Sequence, residues 1–500
     1  MTSTSMTGIQ SMPATTAEYF ERVAGEWDSL RRGYFGEAVR DAAIARAYLR
    51  AEMVVADIGS GTGFMAAGLA PLVAKVHAVD GSAAMLEVAR ENLAGFANVE
   101  LQLADGATLP FEDGMLDAVF ANMYLHHCPD PQTAISEMVR VLKPGGRLVI
   151  TDMEQHEHTW LRDEMADVWL GFERKDLRAW FRAAGLVNVI VDSTGETCSS
   201  KSKSPAGEGM ADISIFIATG SRRVSGARDA VQENYGALAV NGGGCGSTAS
   251  QSSCCSTSES GSSASGCCSP ASNAMELVEA GDPDVVLWDT GYTAEQISLV
   301  PVEAANLSLG CGNPTVVASL QQGETVLDIG SGAGIDAFYA AKRVGPEGRV
   351  IGLDMTPAMI ERAQRSAEEA GLKQVQFRLG QAEEMPVEDA SVDVILSNCV
   401  INLAEDKGRV FEEAFRVLKP GGRLSISDMV TTGPLPMSLR SDPAMWAGCV
   451  NGALPEREYL DLVKQAGFAD VVGTRSLSGG ELAGVEVHSL AVSARKAQEE

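Results

Sequence analysis

The sequence predicts an α/β protein of two domains, each a doubly wound, mostly parallel sheet, and three observations carry that prediction. Short β-branched runs alternate with amphipathic helical stretches, the order that builds parallel sheets covered by helices on both faces. The pattern occurs twice because the chain is an internal duplication: VVADIGSGTG (Val54–Gly63) returns as TVLDIGSGAG (Thr325–Gly334), and RVLKPGGRLVITDM (Arg140–Met153) as RVLKPGGRLSISDM (Arg416–Met429). In each copy a glycine-rich turn falls where a strand gives way to a helix, as in open α/β sheets that bind ligands. A chain of 500 residues is in any case too long for one ordinary hydrophobic core.

Residues 1–16 read as a disordered N-terminus, and MTSTSMTGIQSMPATTAEYF has neither the basic nor the apolar region of a signal peptide. The first domain spans residues 17–223, where the strand VVADIG opens into the glycine turn and a second strand ends in an acid, Asp80 of VHAVD. Residues 224–273 form a linker. Within it VSGARDAVQENYGALAV (Val224–Val240) has helical character, whereas Asn241–Asn273 is low-complexity and reads as disordered. The second domain covers residues 274–493 and leaves 494–500 as a tail. Its elements run TVLDIG (from Thr325), IDAFYAAKRV, RVIGLD, MIERAQRSAEEAG, QVQFRL, VDVILSN, VFEEAFRVL and RLSISDM. The paired motifs lie 271 and 276 positions apart, a difference that an inserted surface turn such as GPEG (Gly345–Gly348) absorbs.

With 45% hydrophobic and 21% charged residues the composition is that of a soluble globular protein. No apolar run approaches the roughly 18 residues a membrane helix needs, so the expectation is a cytoplasmic protein with no membrane partner. A net charge of −28 repels phosphate backbones, which argues against nucleic acid and for a small-molecule substrate. In a reducing cytosol the ten cysteines are expected to be free, metal-binding or catalytic rather than structural disulfides.

The turn DIGSGAG lets Gly330, Ser331, Gly332 and Gly334 present backbone N–H groups to an anionic ligand group. About 20 residues on, Asp354 of VIGLD is placed to accept from ribose hydroxyls. In the first copy the equivalents are Gly59, Gly61, Gly63 and Asp80. These features also suit a nicotinamide cofactor. Two details favour another: the loop is G-x-G-x-G after an acid, Asp57 or Asp328, and each copy continues to VLKPGGRL before a late strand. The arrangement resembles the class I, Rossmann-like S-adenosylmethionine-dependent methyltransferases. That resemblance implies the methionine end over the glycine loop and the ribose on Asp80 or on Asp354, beside Met355. It implies adenine near ADGA, with Asp105, or near GQAE, with Gln381 and Glu383.

Registering the halves by their late motifs sets SNCVINL (Ser397–Leu403) opposite ANMYLHH (Ala121–His127), so Cys399 faces Met123. MWAGCVNGAL (Met445–Leu454) falls opposite VWLGFERKDL (Val168–Leu177), so Cys449 faces Phe172, and Cys311 in NLSLGCGNP has no cysteine counterpart. Each alone reads as a small buried hydrophobe. Together, with Cys399 at the carboxyl end of the fourth strand, they read as a trap for a thiophilic centre. Along SLGCGNP, LDIGSGAGIDAFYAAKRVGPEGRVIGLDMTPAMI, SNCVINLAEDK and WAGCVNGALPEREYL the second domain resembles the arsenite methyltransferases.

That resemblance implies arsenite, or thiol-bound arsenic(III), held by Cys311, Cys399 and Cys449 as thiolates. Its lone pair attacks the sulfonium methyl in line, giving methylated arsenicals for detoxification. Methyl transfer oxidises arsenic to the pentavalent state; two thiols closing to a disulfide return it to the trivalent state, and an external thiol reductant, thioredoxin or glutathione, then resets the enzyme. Family members carry a further cysteine or pair before the domain. The tether offers Cys245, Cys254, Cys255, Cys267 and Cys268. Cys267 and Cys268, nearest the domain, are favoured for catalysis, and Cys254 and Cys255 are further candidates for arsenic. A four-thiolate zinc site and thiols without a role remain alternatives for the tether.

In the first domain YFERVAGEWDSLR (Tyr19–Arg31) and NMYLHHCPDP (Asn122–Pro131) resemble the methyltransferases of quinone synthesis and the methyltransferase halves beside arsenic-type repressors. His126, His127, His156 and His158 admit a metal-cluster reading but read more readily as polar lining, and Cys128 and Cys198 lie too far apart for a thiolate trap. This domain is either a second methyltransferase, for an organic molecule or an already methylated arsenical, or a cofactor-binding scaffold. For the whole chain the alternatives are a thiol-based metalloid sequestration or sensor protein and a methyltransferase of a small organic acceptor.

Overall fold

The structure, a computed structural model, describes residues 16–202, 209–241, 292–301, 304–305, 310, 312–447 and 450–498. The chain divides into two compact units, Met1–Arg223 and Val224–Glu500.

The first unit holds strands β1 (Val54–Ile58), β2 (Lys75–Asp80), β3 (Val99–Leu103), β4 (Leu116–Asn122), β5 (Leu142–Met153), β6 (Leu186–Lys201) and β7 (Met210–Arg222). They form one sheet in the order β3-β2-β1-β4-β5-β7-β6. All neighbours are parallel except β7, which runs antiparallel to β5 and β6. The second unit repeats this with β8 (Thr325–Ile329), β9 (Arg349–Asp354), β10 (Val375–Leu379), β11 (Val392–Asn398), β12 (Leu418–Thr431), β13 (Ala469–Leu482) and β14 (Val485–Arg495), in the order β10-β9-β8-β11-β12-β14-β13.

The central strands are apolar throughout because helices cover both faces. Leu116 to Ala121 of β4 are all buried, as are Val394 to Ser397 of β11. In the second unit the helix Ile335–Val344 buries Phe338, Ala341 and Val344, and Phe338 meets Phe377 of β10 edge to face at 5.6 Å. In both sheets the strand order reverses between the first and fourth strands, which opens a crevice at their carboxyl ends.

The duplicated RVLKPGGRL segment is a structural clasp. Lys419 Nζ donates to Asp393 Oδ1 at 2.9 Å, and Asp393 Oδ2 accepts the N–H of Thr325 at 2.9 Å, joining the starts of β12, β11 and β8. Lys143, Asp117 and Val54 make the same contacts at 2.8 Å in the first unit. Arg416 donates to the carbonyls of Val387 and Met385 and pairs with Glu413, and Arg140 does likewise with Phe111, Leu109 and Glu137. The motif therefore recurs because it closes the sheet, at the end away from the crevice.

Gly422 has no room for a side chain: an added Cβ would lie 2.9 Å from the Lys419 carbonyl oxygen and 3.1 Å from that of Asp393. Gly422→Ala should destabilise the second unit by about 1–3 kcal/mol through overpacking against backbone. Urea unfolding measures this, with Gly433→Ala, where nothing lies within 4 Å, as the unchanged control.

Candidate functional site

The second unit's glycine loop leaves β8 and enters the helix at Ile335 through three residues of positive φ, Gly330 (69°), Gly332 (50°) and Gly334 (97°). The N–H groups of Gly330 and Ser331 both donate to the Leu353 carbonyl, at 2.6 and 2.9 Å. Gly332 N–H donates to Asp354 Oδ2 at 2.9 Å, and Thr356 N–H to Oδ1 at 2.8 Å. An added Cβ at Gly330 would lie 2.2 Å from Val400, so the loop can pass the end of β11 only as glycine.

These elements wall a cavity of about 1060 Å³, part of it open to solvent. Ser331, Asp354, Met355, Glu383 and Cys399 line it. So do Arg228, Val231 and Tyr235 of the helix Ala227–Asn241, which composition assigns to a linker. This helix packs on the second unit: Ala227 and Val231 are fully buried in a cluster with Leu403 and Trp446. Arg228 Nη2 meets Glu383 Oε1 at 3.1 Å, Gln232 Nε2 donates to the Met355 carbonyl at 3.2 Å, and Arg362 donates to that of Ala239 at 2.6 Å. The helical signal of Val224–Val240 was legible. Its destination was not: Ala227, Val231 and Tyr235 recur at helical spacing, but that spacing does not record which surface the face meets.

Burial shapes the electrostatics. It pushes the Asp328 carboxyl well above the usual carboxylate range, helped by the charges of Asp336 and Asp354, and it raises Asp336 to about 6. Asp354 is raised by the same cause against its backbone donors. Ser331 Oγ and Asn398 Oδ1 are buried without a partner among the described residues. Unsatisfied buried polar atoms beside a glycine cradle and a ribose-height carboxylate suit a polar, nucleoside-bearing ligand such as S-adenosylmethionine. Of the sequence-predicted adenine residues, Glu383 lines the cavity; Gln381 is exposed and bridges to Glu384 instead.

Cys399 follows β11 and is buried, with a left-handed φ of 60° held by its N–H donating to the Ser427 carbonyl at 2.8 Å. Its sulfur is engaged in a disulfide. Of the expected states, free, metal-binding or catalytic, Cys399 is not free in this structure. Cys311, Cys449, Cys245, Cys254, Cys255, Cys267 and Cys268 lie outside the described residues. Residues beside two of them do not: Asn398 Nδ2 donates to the Gly312 carbonyl at 2.7 Å and packs on Gly310. An added Cβ at Gly452 would lie 2.1 Å from the Asn402 carbonyl oxygen. Tyr292 and Asp336 complete the anchor: Tyr292 OH donates to Asp336 Oδ1, and Asn398 Nδ2 lies 3.1 Å from Tyr292 OH.

The first unit repeats the loop. Gly59, Gly61 and Gly63 have φ of 69°, 54° and 92°, Gly61 N–H donates to Asp80 Oδ2 at 2.7 Å, and Ser82 N–H to Oδ1 at 2.8 Å. Burial pushes Asp57 up to about 7. Helices Thr16–Val23 and Trp27–Tyr34 reach the loop, where Asp28 accepts from Thr62 Oγ1 at 2.6 Å and Glu21 from Ser82 Oγ at 2.9 Å. Where the second unit has Val400, Tyr124 packs its ring on Gly59 and its hydroxyl on Gly106. Asp105 is exposed and only closes a local turn by accepting from Ala107 N–H at 3.0 Å. Met123 takes the left-handed conformation of Cys399, with φ 51°. Cys128 and Cys198 are free and buried, and burial raises both thiols to about 12.

Arg228 is partly exposed, so its pair with Glu383 contributes up to about 1 kcal/mol. Arg228→Ala should weaken S-adenosylmethionine binding by the second unit about fivefold. Calorimetry on a full chain whose first loop is blocked by Gly59→Val isolates that site.

Two family profiles, both described as "Methyltransferase domain", match residues 320–467 and 56–150. An arsenite methyltransferase of Halobacterium salinarum is 43% identical over 244 residues, 49% of this chain and 58% of that protein. Another, of Aquipseudomonas alcaligenes, is 40% identical over 181 residues, 35% of this chain and 52% of that protein. Among solved structures, an arsenic(III) S-adenosylmethionine methyltransferase from Chlamydomonas reinhardtii is 35% identical, covering 41% of this chain and 72% of that one, with a TM-score of 0.37. The chain spans about half the length of the curated relatives it matches. The two matched segments, each on the same seven-stranded sheet, make both halves of the chain methyltransferase domains of the class I, S-adenosylmethionine-dependent type.

Proposed function

We propose that the second unit methylates trivalent arsenic held by Cys311, Cys399 and Cys449, using S-adenosylmethionine. The observation that carries this reading is the position of Cys399: it lines the cofactor cavity directly after β11, where Asn398 just before it donates to the carbonyl of Gly312. Support also comes from the arsenite methyltransferases among the relatives.

Gly330, Gly332 and Asp354 would hold the cofactor, with Glu383 and helix Ala227–Asn241 closing its other side. When bound, S-adenosylmethionine supplies an electrophilic methyl group on a sulfonium centre. Thiolates are the ligands a soft centre such as arsenic(III) selects over oxygen donors. The buried site excludes water and fixes arsenic close to the donor, within the roughly 3–3.5 Å that near-attack geometry needs. The chain needs no general base here, since the arsenic lone pair carries no proton. Asn402, in the turn after Cys399, accordingly offers no titrating group. Because Cys399 is found in a disulfide, a thiol reductant must act before it can bind arsenic. The tether cysteines, Cys254, Cys255, Cys267 and Cys268 among them, would deliver arsenic or reduce the product. The first unit, with an equivalent loop and Asp80, would be a second methyltransferase for another acceptor.

The full chain, incubated with arsenite, S-adenosylmethionine and a thiol reductant, should yield methylated arsenic by speciation, and none when the reductant is left out. Cys399→Ser and Cys449→Ser should each abolish it. Intact methylation in those variants overturns the assignment of the thiols, and a tether with its five cysteines changed to serine reports separately on delivery.

A further inference from the structure

The first unit carries two imidazoles and a carboxylate that the second, built on a sheet of the same strand order, does not. His126 and His127 stand where the second unit has Asn402 and Leu403, and Asp167 stands opposite Ala444. The fold alone therefore does not require them. Asp152 is different, because its counterpart Asp428 also accepts the N–H of the turn residue, from His126 at 3.2 Å and from Asn402 at 3.0 Å.

In the first unit these groups meet. His126 Nε2 lies 3.8 Å from Asp167 Oδ1, and His127 Nδ1 lies 3.9 Å from the same oxygen. One donor atom from each of the three residues falls within 4.8 Å of the others. The separations are too long for hydrogen bonds. They are close to the roughly 3.4 Å between donors placed about 2.0–2.1 Å from a shared tetrahedral ion. His126 Nδ1 is engaged with Asp152 Oδ1 at 2.7 Å, which directs Nε2 toward Asp167. A histidine whose second nitrogen is tied to a carboxylate is the usual arrangement behind a metal ligand. Asp167 follows Ala166, a non-glycine residue in the left-handed region at φ 58°, whose carbonyl accepts from Thr16 Oγ1 at 3.3 Å and lies 3.4 Å from His127 Nδ1. His156 and His158 stack on each other at 5.6 Å and are not among the three.

We propose that His126, His127 and Asp167 form a site for a borderline divalent transition cation, zinc, cobalt or nickel, with Asp152 orienting His126. Two imidazoles and one carboxylate select such ions over magnesium or calcium, which prefer all-oxygen shells. Three protein donors leave a fourth position for water or an acceptor oxygen, the pattern of a working rather than a closed site. The two histidines lie in the turn that follows β4, three and four residues beyond Met123, the counterpart of Cys399. The two copies would thus offer different donors after the same strand, a thiol directly past it in one and imidazoles in the next turn of the other.

The test uses the full chain with accessible thiols blocked by iodoacetamide and metals removed by chelator. Titration with Co²⁺, read by calorimetry and d–d absorption, should give one ion on nitrogen and oxygen donors. A thiolate-to-cobalt charge-transfer band would mark any ion on a residual cysteine. Asp167→Ala, His127→Leu and His126→Asn install the second unit's residues. Each should weaken that ion more than about tenfold, with the far-ultraviolet circular dichroism unchanged. Should the deeply buried His126 variant misfold, Asp167→Ala decides alone. Equal cobalt uptake by the wild-type chain and Asp167→Ala, or no uptake on nitrogen and oxygen donors by either, overturns the proposal.

Discussion

A hydrogen bond from Gly332 N–H to Asp354 Oδ2, at 2.9 Å, ties the glycine loop to the end of the neighbouring strand, and the site is arranged around it. Its twin from Gly61 to Asp80, at 2.7 Å, does the same in the first unit. The bond needs a middle residue of positive φ, a strand that ends in an acid, and a parallel register that brings the two ends level, and Ile329 at the end of β8 pairs with Leu353, next to Asp354, in that register. Burial works against the charged carboxylate, and backbone N–H donors offset that cost. What remains is a rigid cradle with a polar edge.

Two copies of one cradle diverge in what they place beside it. The residue after the fourth strand is left-handed in both, because its N–H must reach the carbonyl of the fifth strand, at 2.8 Å in each case. The position lines the cavity as a cysteine in the second unit, whereas the methionine of the first packs against the cluster of Phe35, Val39 and Met153. The divergence extends to the following turn, where His126 engages Asp152 and Asn402 donates to the Met429 carbonyl instead. Duplication kept the scaffold and freed the first turn past it to change chemistry.

The helix Ala227–Asn241 shows how a segment of bland composition becomes part of a site. Its own apolar face is short, and what holds it is the match of Ala227 and Val231 to a hollow between Leu403 and Trp446. Arg228 then meets Glu383 from the opposite wall. This wall comes from a segment that precedes the cysteine-rich tether in the sequence.

The sequence by itself determined the duplication, the mostly parallel sheets implied by alternating strands and helices, the glycine loops and the acids that follow them, because these depend on local backbone demands and short spacings. Cys399, too, was legible, by its place after a strand and its mismatch with Met123. Only the tertiary structure decided that Arg228 and Tyr235 wall the cavity, that Gln381 and Asp105 are exposed, and that RVLKPGGRL clasps the sheet. It also separated His156 and His158 from the cluster and brought Asp167 in, 40 residues from His127. The reason is common to all of these. A side chain's partner across tens of residues is set by how helices pack on the sheet, and neither periodicity nor composition records that.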